Sequence, residues 1–317
     1  VAGLPDERLK PGGKRTEDEG KKGIGCKPSK QPFPFSATGE GNMKQPVTVE
    51  IFIIGNEILN GEIQDTNTHW LCREITALGG RVNRETALRD DLEVIAEELK
   101  AAMDRGTDVI FTSGGLGPTA DDLTLAAVAR SVGKELRLNE EARRMIRESY
   151  DALYDRGILD QGGLTPAREK MAWLPEGAIP LYNTVGTAPC SLLDTGRSVI
   201  VCLPGIPKEL KGIFNSSLQP FLQETFRGGI SAMRTITVLC NDESVLEPVL
   251  SRVVPSHPKV YIKLLATMPG ETPELDITLT AVGSDGEELE FLVSAAERDL
   301  KEGFAALGFY CRDRGRG

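Results

Sequence analysis

The stretch Ser113-Gly114-Gly115-Leu116-Gly117-Pro118-Thr119-Ala120-Asp121-Asp122 decides how this chain is read. It follows a β-rich run at 108–112 and precedes a helical pattern that runs to Ser131, so three glycines stand at a strand-to-helix turn. Gly114, Gly115 and Gly117 allow backbone angles closed to other residues and leave room for a ligand. A helix starting there turns free N–H groups and the positive end of its dipole toward the turn, which suits phosphate. A plain tight turn uses the same glycines. The segment is not a P-loop, because no Gly-Lys-Ser/Thr follows, and it lacks the G-x-G-x-x-G dinucleotide fingerprint. The pattern puts Asp121 and Asp122 in the first helical turn. Thr119 and Asp122 have the spacing of a capping-box variant, while two adjacent carboxylates beside a phosphate cradle also suit Mg²⁺ or a similar hard cation.

Outward from this turn, strand and helix patterns alternate. A strand at 47–54 runs into Gly55-Asn56-Glu57, and a helix at 65–78 closes on Gly79-Gly80. A short strand at 81–85 leads to Arg89-Asp90-Asp91, and a helix at 90–103 opens with Asp90 and Glu93 at capping-box spacing. A charged amphipathic helix is predicted at 139–156 and a hairpin at 188–194 and 197–203, joined at Thr195-Gly196. Pro204-Gly205-Ile206-Pro207 then opens a helix to about 224. This alternation predicts an α/β domain with a mostly parallel sheet over 46–228. After Gly228-Gly229 the pattern reads strand 234–240, helix 243–253, strands 259–266 and 274–282, and helix 285–303, a small α+β domain over 229–317 whose last residues, 312–317, are expected to fray.

In open α/β sheets ligands bind beyond the carboxyl ends of the strands. If the strands ending at Ile54, Glu85, Thr112 and Leu203 are parallel neighbours, their loops face one crevice. Glu57 then reads either as a solvated loop charge or as a metal or base residue. Asp90 reads as the helix cap, which leaves Asp91 for the site. Asp65-Thr66-Asn67 reads as a capping segment that could also aim polar atoms into the crevice.

Bulk properties narrow the classes. The chain has 317 residues, 40% hydrophobic and 26% charged, with a net charge of −10. Such acidity disfavours binding to a nucleic-acid backbone but permits a small phosphorylated ligand held by a metal and backbone N–H groups. No signal peptide or membrane-length apolar run is seen. The six cysteines, at 26, 72, 190, 202, 240 and 311, form no C-x-x-C pair, the usage of a reduced, cytoplasmic protein. With only His69 and His257, a histidine triad or multi-histidine zinc site is poorly supplied. Residues 1–42 hold 8 Gly and 5 Pro with almost no aliphatic runs. Residues 1–45 therefore read as a disordered tail, and Met43 reads as a start immediately before the first strand.

Taken together, these residues resemble the N-terminal domain of the CinA family, which shares the molybdopterin-binding fold of MogA and MoeA, a three-layer α/β sandwich. The resemblance is carried by Gly55-Asn56-Glu57-Ile58-Leu59-x-Gly61, Asp65-Thr66-Asn67, and Thr112-Ser113-Gly114-Gly115-Leu116-Gly117-Pro118-Thr119-x-Asp121-Asp122-x-Thr124. It continues through Leu174-Pro175-Glu176-Gly177-Ala178, Asn183-x-x-Gly186-Thr187-Ala188-Pro189 and Leu203-Pro204-Gly205-Ile206-Pro207-x-Glu209. It covers about 46–226, and the unit after 230 resembles the KH-like domain that follows in that family. Cys190 stands where the family usually has Gly, and the segment 165–169 lacks an Asn common there. The chain ends where longer CinA proteins begin an amidase domain, so deamidation is not implied.

The resemblance implies hydrolysis of a nucleotide pyrophosphate such as ADP-ribose, assisted by a divalent metal, Mg²⁺ or Co²⁺. Glu57, Asp91 and Asp121 are then the catalytic candidates, and Asp91, Asp121 and Asp122 the metal ligands. Gly114, Gly115 and Gly117 would hold the diphosphate, with Asn67, Ser113, Thr119, Pro204 and Gly205 around the substrate. Asn183, Gly186 and Thr187 would meet ribose or base. Binding or adenylyl transfer on molybdopterin is the first alternative, and a non-catalytic nucleotide-binding regulator the second. A homo-oligomer is expected. Residues 259–282 carry no G-x-x-G clamp, and 232–317 hold 9 Lys+Arg against 14 Asp+Glu, so dimerisation or capping, rather than RNA binding, is expected of the small domain.

Overall fold

The computed structural model describes residues 46–226, 229–265 and 274–314. The expected tail over 1–45, the junction at 227–228 and the loop at 266–273 lie outside the described residues.

The first part of the chain runs β1 (Thr48–Ile54), α1 (Asn56–Leu59), α2 (Asn67–Ala77), β2 (Arg81–Leu88), α3 (Leu92–Asp104) and β3 (Val109–Ser113). It continues with α4 (Thr124–Ser131), β4 (Leu136–Leu138), α5 (Glu140–Asp155), α6 (Pro166–Lys170), β5 (Trp173–Pro175) and β6 (Ile179–Leu181). β7 (Cys190–Asp194), β8 (Val199–Leu203), α7 (Pro207–Phe214) and α8 (Gln219–Phe226) complete it. Six strands form one sheet in the order β2-β1-β3-β8-β7-β6. The first four are mutually parallel, and β7 and β6 extend the sheet antiparallel. β4 and β5 form a separate antiparallel pair that the hydrophobic pattern did not announce.

The inner parallel strands β1, β3 and β8 are mostly apolar because helices cover both faces, whereas β2, at the sheet edge, is polar and largely exposed. Phe52, Ile54, Ile110, Ile200 and Cys202 point into a core shared with α3, α4 and α5. Side chains alternate along a strand, so Ile51, Ile53, Phe111 and Val201, equally buried, point to the other face, where Leu71 and Ile75 of α2 and Leu210, Ile213 and Phe214 of α7 are also buried. The result is a three-layer α/β sandwich. α5 is a helix because Asn139 caps it, accepting from the Ala142 N–H at 2.9 Å, and because Ala142, Met145, Ile146 and Ser149 recur on one buried face. The helix expected from 207 to about 224 is two, α7 and α8, interrupted at 215–218.

The second part runs β9 (Ile230–Leu239), a short 3₁₀ turn (Glu243–Val245), α9 (Glu247–Ser256), β10 (Tyr261–Leu265), β11 (Glu274–Gly283), α10 (Gly286–Ala306) and β12 (Cys311–Arg314). Its antiparallel sheet has the order β10-β11-β9-β12. Both helices share one apolar core with it, including Ile236, Ile277, Val253, Val293 and Phe304. The expected fraying at 312–314 does not occur: β12 pairs with β9, Cys311 opposite Val238, and Arg312 reaches Glu274 while Lys301 reaches Asp313 at 2.5 Å. Pairing with an edge strand needs no apolar run, which is why the sequence hid it.

One buried charge interrupts β1. Glu50 accepts two hydrogen bonds from the Arg105 guanidinium, at 2.9 and 2.6 Å, and one from the Thr107 hydroxyl at 2.7 Å. Burial opposes ionisation, but the hydrogen bonds from Arg105 and Thr107 and the charges of Arg105 and Arg84 outweigh it, so the carboxyl titrates below its ordinary value. A depressed folded-state pKa contributes stability that is present above the unfolded value and is lost as pH falls through the folded one. Glu50→Ala is expected to destabilise the protein by about 1.5–3 kcal/mol at neutral pH. Melting temperatures measured from pH 7 down should show this gap narrowing below about pH 4.3, the ordinary Glu value. A gap that stays constant with pH would remove the ion pair as its cause.

Candidate functional site

Four parallel strands bring their carboxyl ends to one level. Ile54 lies opposite Leu88, Ile53 opposite Ser113, and Ser113 opposite Leu203. Two hydrogen bonds extend the alignment past the strands: the Gly55 N–H donates to the Leu88 carbonyl at 3.1 Å, and the Gly114 N–H to the Leu203 carbonyl at 3.0 Å. The loops that leave these strands wall one cleft of about 510 Å³, the crevice that the strand ends predicted.

Gly114 has φ 112°, and a Cβ there would lie 2.0 Å from the Ile54 carbonyl oxygen. Only glycine fits this close approach of two strand exits. The Thr124 hydroxyl donates to the Gly114 carbonyl at 2.8 Å and the Thr124 N–H to the Gly115 carbonyl at 3.2 Å, tying the start of α4 back onto the turn. α4 therefore begins at Thr124, and Asp121 and Asp122 lie in the loop before it, not in its first turn as expected. The reason is local. Asp122 accepts from the Thr119 N–H at 2.8 Å, and the Thr119 hydroxyl lies 2.5 Å from Asp121 Oδ1 and 2.6 Å from Asp122 Oδ2. The Thr119–Asp122 spacing closes a loop and caps no helix. From α6, Lys170 donates to the Thr119 and Asp122 carbonyls, the latter at 2.8 Å. The Thr119 hydrogen bond, a backbone hydrogen bond and the Lys170 ammonium hold the Asp121 carboxyl below its ordinary value.

The floor is polar. Asn67, at the start of α2, donates through Nδ2 to Ser113 Oγ at 3.0 Å and to the Gly205 carbonyl at 2.7 Å. The Ser113 hydroxyl donates to the Pro204 carbonyl at 3.3 Å. Asn67 Oδ1 is buried without a hydrogen-bond partner among the described residues. Asp65 accepts from the Asn67 and Thr68 N–H groups at 2.9 and 3.1 Å, so it does cap α2 while lining the cleft.

Of the residues singled out in the sequence, Glu57, Asn67, Ser113, Asp121, Asp122 and Thr187 line the cleft, as do Gly114, Gly115, Gly117, Pro204 and Gly205. Asp91 does not. Its Oδ1 accepts from the Glu93 and Val94 N–H groups at 3.0 and 3.1 Å and caps α3, whereas Asp90 lines the cleft and accepts from the Asn56 N–H at 2.8 Å. The expected roles of these two aspartates are thus exchanged. A cap carboxylate reaches the N–H groups two and three residues on, and either aspartate satisfies that rule on paper. Thr119 organises the aspartate loop from outside the cleft lining.

Asn183 and Gly186 also stand behind the surface. Asn183 donates through Nδ2 to the Ala188 carbonyl at 2.9 Å and to Glu209 Oε2 at 2.6 Å, and its Oδ1 accepts from the Val185 and Gly186 N–H groups at 3.0 and 2.8 Å. A Cβ on Gly186 would lie 2.1 Å from the Glu209 carboxyl carbon. This segment presents Thr187 and Ala188 to the cleft, and the Glu209 side chain that it seats also lines it. Burial pushes the Glu209 carboxyl above its ordinary value, and the Asn183 hydrogen bond offsets part of the rise. Glu209 escaped the sequence reading because an acid in the first turn after Pro207 serves the helix dipole equally well. Its place in Pro204-Gly205-Ile206-Pro207-x-Glu209, past a strand end, was the available signal.

The charge balance of the cleft is one-sided. Glu57, Asp65, Asp90, Asp121, Asp122 and Glu209 line it, and among the described residues no Lys, Arg or His does. No group of three or more His, Cys, Asp or Glu side chains forms a metal cage among the described residues. Asp121 and Asp122, bridged by one hydroxyl, do supply the one or two carboxylates Mg²⁺ takes when waters and substrate phosphates complete its shell. The donor set fits a cation that comes with a phosphate and does not fit an all-protein cage. No described helix is long and apolar enough to cross a membrane.

Residues 50–224 match the family model described as a probable molybdopterin binding domain. A protein of Pyrobaculum arsenaticum is 38% identical over 253 residues, 80% of this chain and 92% of that protein. A protein of Pyrococcus furiosus is 38% identical over 211 residues, 65% of this chain and 80% of that one. Among solved structures, the protein CinA of unknown function from Thermoplasma acidophilum is 34% identical with a TM-score of 0.50, covering 55% of this chain and 98% of that one.

The exchanged aspartates can be separated by experiment. Asp91→Ala should lower stability by about 1 kcal/mol through the lost cap and leave ligand affinity intact. Asp90→Asn should change ligand affinity with little loss of stability. Urea unfolding and calorimetric titration with Mg²⁺–ADP-ribose measure the two effects; an affinity loss in Asp91→Ala alone would restore Asp91 to the site.

Proposed function

The chain belongs to the family of probable molybdopterin binding domains, and on that premise we propose that the cleft binds a nucleotide pyrophosphate such as ADP-ribose together with a divalent cation and hydrolyses it. The observation that carries this reading is the glycine turn, Gly114, Gly115 and Gly117, lining the same cleft as six carboxylates and, among the described residues, no basic side chain. A diphosphate alone would be repelled there. A diphosphate carried by Mg²⁺ or Co²⁺ would not.

Asp121 and Asp122 would hold the cation, and Asp90 takes the place in the cleft expected for Asp91. When bound, the cation would neutralise phosphate charge and activate water. The diphosphate would lie along the turn of Gly114, Gly115 and Gly117, all of which line the cleft. Glu57, whose carboxylate lies over Gly55 at the β1 exit, is placed to accept the proton of the attacking water. Met171 and Ala188 add apolar surface to the cleft wall. The description of the matching family favours one further reading, a pterin ligand bound or adenylylated in the same cleft.

Purified protein incubated with ADP-ribose, FAD or molybdopterin, with and without Mg²⁺ or Co²⁺, separates these readings. Cation-dependent AMP release from ADP-ribose is expected, with affinity also falling when the cation is chelated. Asp121→Asn should lose turnover while keeping its melting temperature, and Glu57→Gln should slow it by about 100-fold or more. Tight pterin binding without hydrolysis would establish the second reading, and wild-type turnover in Asp121→Asn would remove the cation assignment.

A further inference from the structure

The segment Asn183-x-x-Gly186-Thr187-Ala188 folds around one carboxylate. Asn183 spends its whole amide on local contacts: Nδ2 donates to the Ala188 carbonyl and to Glu209 Oε2, and Oδ1 accepts two backbone N–H groups. Gly186 lets the Glu209 carboxyl lie against the backbone, since any Cβ there would stand 2.1–2.4 Å from its carboxyl atoms. Glu209 is thereby held half-buried at the cleft wall beside Thr187, with Oε2 engaged from behind. A side chain fixed so firmly, yet exposed to a cleft, is arranged to meet a ligand.

An ionised carboxylate only accepts hydrogen bonds. It repels phosphate oxygens and welcomes O–H and N–H groups. Nearby, Asn67 repeats this polarity. The Gly205 carbonyl can only accept, so Nδ2 must face it, which leaves Oδ1 as a second acceptor, buried and without a partner among the described residues. Asn67, Gly205 and Glu209 all line the cleft.

We propose that the Glu209 carboxylate, seated by Asn183 and Gly186, is the specificity-determining acceptor that selects ligands carrying paired hydrogen-bond donors, either a ribose diol or the amino-pyrimidinone edge of a pterin. This rests on the reading that the cleft takes a nucleotide pyrophosphate or a pterin, but concerns binding and not turnover. The diphosphate and its cation occupy the Asp121–Asp122 end, and the donor-bearing group turns toward Glu209.

Glu209→Gln tests the idea without a change of shape. Asn183 Nδ2 can only donate, so it retains the amide oxygen of the new side chain and turns the NH₂ group toward the cleft. An acceptor becomes a donor. Calorimetric titrations with ADP-ribose, 6-hydroxymethylpterin and inorganic pyrophosphate, all with Mg²⁺, should show tenfold or greater weakening for the donor-bearing ligand and unchanged pyrophosphate affinity. Asn183→Ala, which empties the back of the seat, should weaken the same ligand. Loss with ADP-ribose identifies the diol and loss with the pterin identifies the amino-pyrimidinone edge; either supports the proposal. Equal weakening for pyrophosphate, unchanged affinity for every probe, or no binding of any probe to the wild type overturns it. A protein that binds ADP-ribose through Glu209 but releases no AMP would refute the proposed hydrolysis alone. One that releases AMP with unchanged ligand affinity in Glu209→Gln would refute the donor selection alone.

Discussion

The approach of Gly114 to its two neighbours is the constraint from which the cleft follows. Its N–H is bonded to the Leu203 carbonyl, and its Cα lies against the Ile54 carbonyl so closely that no side chain fits. β1, β3 and β8 are thereby held together at the point where their loops diverge. Gly205 continues the contact, with space for a Cβ only 3.4 Å from the Gly114 Cα. Asn67 then spans from α2 to Ser113 and Gly205 across the same junction. A side chain at 114 would push the strand exits apart, and the floor, the aspartate loop and the Glu209 wall would lose their common reference.

The electrostatics rest on backbone donors in place of basic side chains. Asp65 accepts from two N–H groups of α2, Asp90 from the Asn56 N–H and Asp122 from the Thr119 N–H. These bonds fix the carboxylates in position without bringing cationic side chains into the cleft, so the charge is available to a bound cation. Two of the acids are displaced in opposite directions. Hydrogen bonding from Thr119, with the Lys170 charge, lowers Asp121, while burial raises Glu209.

Much of the fold was legible in the residues. The runs Thr48–Ile54 and Val109–Ser113 are mostly apolar because both sheet faces are covered, with Glu50 the buried exception in the first, and the hairpin through Thr195-Gly196 appears as β7 and β8. Short elements were hidden. β4, β5 and β12 are three or four residues long and draw their stability from partners distant in sequence, so no periodicity marks them. The interruption between α7 and α8 likewise leaves an unbroken pattern of apolar residues.

What the sequence determined by itself was the alternation of strands and helices, the glycine turn and the gathering of acids at strand ends, since these follow from local backbone freedom and from burial on both faces of a parallel sheet. Tertiary structure alone decided which acid serves which purpose. Asp90 and Asp91 are chemically identical neighbours, and a shift of one residue in the start of α3 sends one into the cleft and the other onto a helix end. Glu209 and Asn183, 26 residues apart, acquire their relation only when α7 packs beside the 183–188 loop. A carboxylate's role is set by the donors around it, and those donors come from chain segments whose meeting is not written in their spacing.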